Sequence, residues 1–180
     1  MVHIDFATGR LEGRTVVEIA RTLGDLHGVF RDESAMQALD PATVVYRVQS
    51  YAPVDDGVEG GLFWGTTFLE PGVVGDEYFM TKGHFHSRRN RGEYYATVSG
   101  RGALILMSED RRTRFEEMTP GSVHYIPGFT AHRVANTGAD VLSFTACWPS
   151  DAGHDYDTIA KSGFSARLRR VAGRPELMPE

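Results

Sequence analysis

The strongest constraint on this chain is a regular succession of short β-type runs. From Thr43 onward, stretches rich in β-branched and aromatic residues recur at intervals of about ten residues, each closed by turn-forming residues. "TVVYRVQSY" (Thr43–Tyr51) and "GLFWGTTFLE" (Gly61–Glu70) come first. "EYYATVSG", "GALILMS", "RTRFEEM", "SVHYIPG", "AHRVANTG" and "VLSFTACWP" follow. Strands at this spacing imply an all-β sandwich or barrel. "VSGRGALIL" reads as a hairpin turning at Gly100-Arg101-Gly102. Helix is scarce. "DESAMQALD" has an N-cap in Asp32, and "DYDTIAKSG" has room for one or two turns ending at Gly163. "TVVEIARTL" fits helix or strand.

At 180 residues the chain is long enough to bury a real core as one domain. Its formal net charge of -5 argues against binding nucleic acid by bulk electrostatics. The short clusters Arg88-Arg89, Arg111-Arg112 and Arg169-Arg170 read as solvated loop charge. The single cysteine, Cys147, excludes an intrachain disulfide and a four-cysteine zinc site, and reads as an inert core residue. No secretory signal or membrane-length apolar segment is apparent, so a cytoplasmic setting is the expectation.

Chemistry concentrates in "TKGHFHSRRNRGEYY". On a strand, His84 and His86 project to one face, and a turn over "SRRNRG" returns Glu93 beside them. His132, opening a strand after the Pro-Gly turn in "PGFTAHRVAN", supplies a fourth candidate ligand. His3 and His27 lack such company. His124 fits a packed strand histidine better than a site residue. Three imidazoles and one carboxylate suit Fe(II), Mn, Ni or Zn. Without thiolates, an open catalytic site is favoured over a closed structural one.

These residues resemble the two cupin motifs: His84, His86, Glu93 and Gly100, then Gly121, Pro127, His132 and Asn136. Six residues separate His86 from Glu93, more than the usual motif has, which implies a longer loop. Phe129 stands where a glycine is usual, which implies a modified turn before His132. The resemblance implies a cupin, a double-stranded β-helix or jelly-roll barrel, with an N-terminal arm and one or two short helices. The single domain would span 1–180: arm 1–42, barrel core 43–150, a segment capping the substrate at 151–168, and a loosely held tail at 169–180.

The longer motifs "MTKGHFH", "YIPGFTAHRVANTG" and above all "DAGHDY" with "TIAKSGFS" are similar to those of the cupin-type, metal-dependent glucose-6-phosphate isomerases. That family implies interconversion of glucose 6-phosphate and fructose 6-phosphate in glycolysis or gluconeogenesis. It implies one divalent metal per subunit, Fe(II) first among the candidates, on His84, His86, Glu93 and His132. Phosphate contacts would fall on Tyr46, Thr67, Thr81, the Gly83 backbone and Tyr156, with Tyr95 and His154 near the sugar. Trp148 stands where tyrosine is expected. An open-site metal suits the reaction because charge develops on two adjacent oxygens, as in an enediolate. Glu93, His154 and Tyr95 are candidate bases; a hydride shift would need none.

Two rivals share the metal ligands: an iron dioxygenase without a phosphate pocket, and a non-catalytic sugar-binding cupin. Thr81 and Gly83 have one strand parity and His84 and His86 the other, so both sets reach one cavity only if the strand is irregular at Lys82-Gly83. Exposed barrel edges predict a homodimer, with "TVVYRVQSY" extending a sheet across the two-fold axis.

Overall fold

The computed structural model describes residues 1–180. Two very short strands, β1 (His3–Ile4) and β2 (Leu11–Glu12), pair as an arm. They precede β3 (Val17–Thr22), a 3-10 turn (Leu23–Leu26) and α1 (Glu33–Gln37). The barrel walls begin with β4 (Val44–Tyr51) and β5 (Leu62–Leu69), followed by the short β6 (Val73–Val74) and β7 (Glu77–Tyr78). After a long irregular stretch come β8 (Glu93–Ser99), β9 (Gly102–Ser108), β10 (Thr113–Met118), β11 (Val123–Ile126), β12 (Thr130–Asn136) and β13 (Leu142–Pro149). The chain finishes with α2 (Tyr156–Ser162), β14 (Ala166–Val171) and β15 (Arg174–Pro179).

The main sheet runs β11-β8-β13-β5-β4-β3, and a second sheet runs β10-β9-β12. Isolated bridges from Met80 to Ala135 and from His84 to His132 add the 80–84 segment beside β12. The chain crosses between the two sheets after β8, β10, β11 and β12, the jelly-roll course of a cupin barrel. Between the sheets lies a core that includes Leu69, Leu104, Leu106, Ile126, Leu142 and Phe144. Alternate residues of the main sheet face inward, and those inward positions build the site.

Four readings of the sequence need correction. The turn at Gly100–Gly102 joins strands that do not pair: β8 bonds to β11 and β13, whereas β9 bonds to β10 and β12. It is the crossing between sheets. Its glycines are required because a Cβ on Gly100 would lie 2.5 Å from the Val141 carbonyl oxygen, with φ at 82°. "TVVYRVQSY" cannot extend the sheet into a second copy, because β4 is bonded on both sides by β3 and β5; the free edge is β3. Cys147 is half-buried rather than core, on the face opposite to its inward neighbours Ala146 and Trp148. The residues after 168 are not a loose tail. β14 and β15 form a hairpin, and Arg167 binds Glu77 at 2.9 Å and the Glu180 carboxylate.

Both short helices form where the caps stand. Asp32 accepts from Ala35 N–H at 2.8 Å, and Asp155 accepts from Thr158 N–H at 3.1 Å. "TVVEIARTL" resolves as strand β3 followed by the 3-10 turn. The arm packs through Gly9, whose carbonyl accepts from Thr66 Oγ1 at 2.7 Å.

Candidate metal centre and adjoining cavity

The metal ligands converge because two local geometries coincide. His84 and His132 exchange backbone hydrogen bonds at 3.2 and 3.0 Å, so their side chains rise side by side. His86 lies two residues on, and Glu93 opens β8 on the inward face. The ligand atoms of these four residues all lie within 4.8 Å of one another.

The donor set fits a metal. Nε2 of His84, His86 and His132 and Oε1 of Glu93 are buried without hydrogen-bond partners. His132 Nε2 and Glu93 Oε1 stand 2.6 Å apart, and with the ring protons on the far nitrogens these facing acceptors would be costly unless a cation joined them. Two rings are aimed from behind: the His86 Nδ1 lies 2.8 Å from the Arg91 carbonyl and the His132 Nδ1 3.3 Å from the Thr130 carbonyl. These contacts assign the proton to Nδ1 and leave Nε2 as a lone pair. Burial, reinforced by His132, holds the His84 imidazole well below its ordinary pKa and therefore neutral. Burial would raise the Glu93 carboxyl; positive charge beside its Oε1, on the rings of His132 and His86 at 2.6 and 3.6 Å or on a cation held by their lone pairs, outweighs this and lowers it.

The 80–84 segment carries an irregularity at the place the parity conflict requires. Between the bridges Met80–Ala135 and His84–His132 it fits one residue more than β12 does. Thr81 N–H donates to the Val134 carbonyl at 2.8 Å, while Val134 N–H donates to Thr81 Oγ1 at 3.0 Å. The hydroxyl replaces a backbone acceptor, and Thr81 lines the same cavity as His84.

That cavity, about 260 Å³, opens from the metal cluster between the sheets. Inward residues of the main sheet make its wall: Arg21, Tyr46, Thr67, Tyr95 and Trp148. Across the sheet Ser50, Gly65, Ala146 and Tyr95 fall in register, and this row of mostly small side chains leaves the space open. Trp148 replaces the expected tyrosine because Gly65 makes room; a Cβ there would stand 3.1 Å from the indole. His154 and Tyr156 stack at 5.6 Å between ring centroids and border the opening.

Of the residues named from the sequence, all but Gly83 meet in this cavity or its metal cluster. Gly83 instead lines a neighbouring cavity of about 70 Å³ with Lys82 and Tyr156, and a Cβ on it would lie 2.6 Å from a Phe164 ring carbon. One cation in the cavity wall, Arg21, was missed, and Lys82, whose direction the sequence left open, also lines it, with its ammonium 5.1 Å from the Tyr156 ring centre. The alternation of Ile19 and Arg21 in "VEIART" was the available signal. His124 is satisfied by Ser122 at 2.9 Å and Glu116 at 2.8 Å, a packed strand histidine.

Burial pushes the Tyr46 phenol up to about 12. Enclosure and the neighbouring Glu93 carboxylate push Tyr95 well above its ordinary value. Both phenols therefore keep their protons at neutral pH and act as donors.

Comparison with known proteins follows this geometry. Residues 20–174 match the family model described as glucose-6-phosphate isomerase. The glucose-6-phosphate isomerase of Pyrococcus horikoshii is 45% identical over 168 residues, covering 91% of this chain and 86% of the relative. That of Thermococcus onnurineus is 42% identical over 180 residues, covering 98% and 92%. Among solved structures, oxalate decarboxylase from Bacillus subtilis aligns with 61% of this chain and 26% of its own, at 23% identity and a TM-score of 0.48.

Proposed function

The chain belongs to the glucose-6-phosphate isomerase family, and on that footing we propose that it interconverts glucose 6-phosphate and fructose 6-phosphate in the cavity beside His84, His86, Glu93 and His132. The observation that carries the reading is one cavity joining a four-ligand metal cluster to a cluster of hydroxyls and cations.

The phosphate dianion is assigned to Tyr46, Thr67, Thr81 and Tyr156, with Arg21 and Lys82 supplying the positive charge. Gly83 contributes to this end through packing. Isomerisation moves a hydrogen between adjacent carbons. Glu93 is the only carboxylate in the cavity wall and is held ionised, so it is the base assigned to carry the proton. Tyr95 keeps its proton and is therefore a donor to a substrate oxygen. His154, at the opening, is placed to exchange protons with the sugar hydroxyls. A divalent metal, Fe(II) by preference and otherwise Mn, Ni or Zn, supplies Lewis-acid stabilisation of the developing oxygen charge when bound. Trp148 offers the sugar a packing surface.

We place the enzyme in the cytoplasm, in glycolysis or gluconeogenesis, as a homodimer. Support for the dimer is the free β3 edge, five of whose six residues are exposed. No helix is long and apolar enough to cross a membrane.

The test is turnover of fructose 6-phosphate by the purified protein in deuterated water, with mannose 6-phosphate as the epimer control. Glucose 6-phosphate carrying solvent deuterium supports proton transfer by a protein base; product without deuterium supports a hydride shift and removes the role given to Glu93. No turnover of either sugar phosphate removes the isomerase reading and returns weight to a dioxygenase or a binding protein.

A further inference from the structure

The residues between His86 and Glu93 do more than span a turn. Arg91 grips the Asp151 carboxylate with both arms of its guanidinium, Nε to Oδ1 at 2.9 Å and NH2 to Oδ2 at 2.8 Å. Arg88 adds a third contact to Oδ2 at 2.6 Å. The Asp151 side chain is only 2% exposed and that of Arg91 25%, so their fork is a partly buried, charge-assisted contact, whereas Arg88, 53% exposed, reaches it from the surface. Arg89 reaches from the His86 carbonyl, at 2.7 Å, to the carboxylate of Asp155. Backbone bonds tie the same two segments: Arg88 N–H to the Ala152 carbonyl at 2.9 Å, and Asp155 N–H to the Phe85 carbonyl at 2.8 Å. Arg88 and Arg89, read from sequence as solvated charge, form a seam with Arg91.

That seam joins the metal ligands to the cavity mouth. The carbonyl of Arg91 accepts from the His86 ring, and its guanidinium holds Asp151, three residues before His154 and five before Tyr156. We infer that Arg91, through Asp151, is a positioning residue that sets His154 and Tyr156 over the cavity in register with the metal cluster. A bidentate fork fixes orientation as well as distance, which a lysine cannot do. Small displacements of such groups weaken catalysis steeply, because the oriented geometry is lost. This inference rests on the isomerase reading above.

The experiment uses the full chain, metal-loaded, as Arg91→Met, Arg91→Lys, Asp151→Asn and the Arg91→Met/Asp151→Asn double variant. We expect kcat/KM for fructose 6-phosphate to fall about tenfold or more in Arg91→Met and Asp151→Asn, with KM rising and kcat falling together. The double variant should lose no more than the worse single variant, because Arg91 acts only through Asp151. Arg91→Lys should recover part of the loss. Mn2+ affinity should stay within about twofold of wild type, since the carbonyl that orients His86 belongs to the backbone. Amide hydrogen exchange should accelerate over residues 152–158 and stay unchanged in β8 and β13. Wild-type kcat/KM in Arg91→Met, or losses that multiply in the double variant, would overturn the inference. If Arg91→Met does not fold, Arg91→Lys decides, and kinetics equal to wild type refute the fork. A wild-type protein without turnover would sink the isomerase reading instead, while exchange over 152–158 would still test the seam.

Discussion

Replacing Thr81 by valine probes the bulge and the phosphate end together. The two side chains have nearly the same shape, so the change creates little cavity and isolates the hydroxyl. Thr81 Oγ1 is the acceptor for Val134 N–H at 3.0 Å, and Val134 is 1% exposed. Without the hydroxyl that N–H is buried with no partner, at a cost of about 1–3 kcal/mol. For a chain of this length the corresponding fall in Tm is about 2–12 °C. The same hydroxyl keeps its own proton free to donate into the cavity. A hydrogen bond to a charged group contributes about 1.5–3 kcal/mol, so KM should rise roughly 10- to 150-fold with kcat less affected. Calorimetry and steady-state kinetics on Thr81→Val, with Thr81→Ser as the hydroxyl-retaining control, measure both. A Thr81→Val protein with the Tm and KM of Thr81→Ser would refute the reasoning.

Further outcomes follow from other positions. Phe129 adopts φ 62°, the left-handed region, and the residue is 50% exposed, so Phe129→Gly should stabilise the fold by about 1 kcal/mol, read as a rise in Tm. Gly83→Ala places its Cβ 2.6 Å from the buried Phe164 ring and should cost about 1–3 kcal/mol in denaturant titration. Asp155 has its pKa lowered to about 2 by bonds from Thr158 and by Arg89. Its contribution is present above the ordinary carboxyl range and fades as pH falls toward about 2, so Asp155→Asn should flatten the acid limb of the Tm–pH curve. Glu93→Gln should lower bound metal per chain in elemental analysis, because it replaces the one carboxylate of the cluster.

The barrel was legible because each strand carries its own local signal, alternating β-branched and aromatic residues between turn formers. The metal ligands were legible for a related reason: two histidines at strand spacing fix their own common face. What failed was tertiary. The glycine turn before β9 looks alike whether its strands pair or part, and only the packing of Gly100 against Val141 separates the cases. Arg88 and Arg89 looked solvated because their partners, Asp151 and Asp155, lie more than sixty positions away in the chain. Arg21 went unnoticed because its segment fitted helix as well as strand, and only β pairing with Tyr46 turns it toward the cavity. The parity conflict between Thr81 and His84 was a local signal that pointed correctly to a bulge.

The central claim is that this cavity isomerises a hexose phosphate with a metal held by His84, His86, Glu93 and His132. The most direct measurement strips the protein with chelator and titrates back single divalent metals while following fructose 6-phosphate conversion. The account predicts that activity disappears, then returns in proportion to bound metal and saturates at one ion per chain, with Fe(II) among the effective metals. Full activity in the metal-free protein, or a folded, reloaded protein that converts none of the substrate, would contradict it.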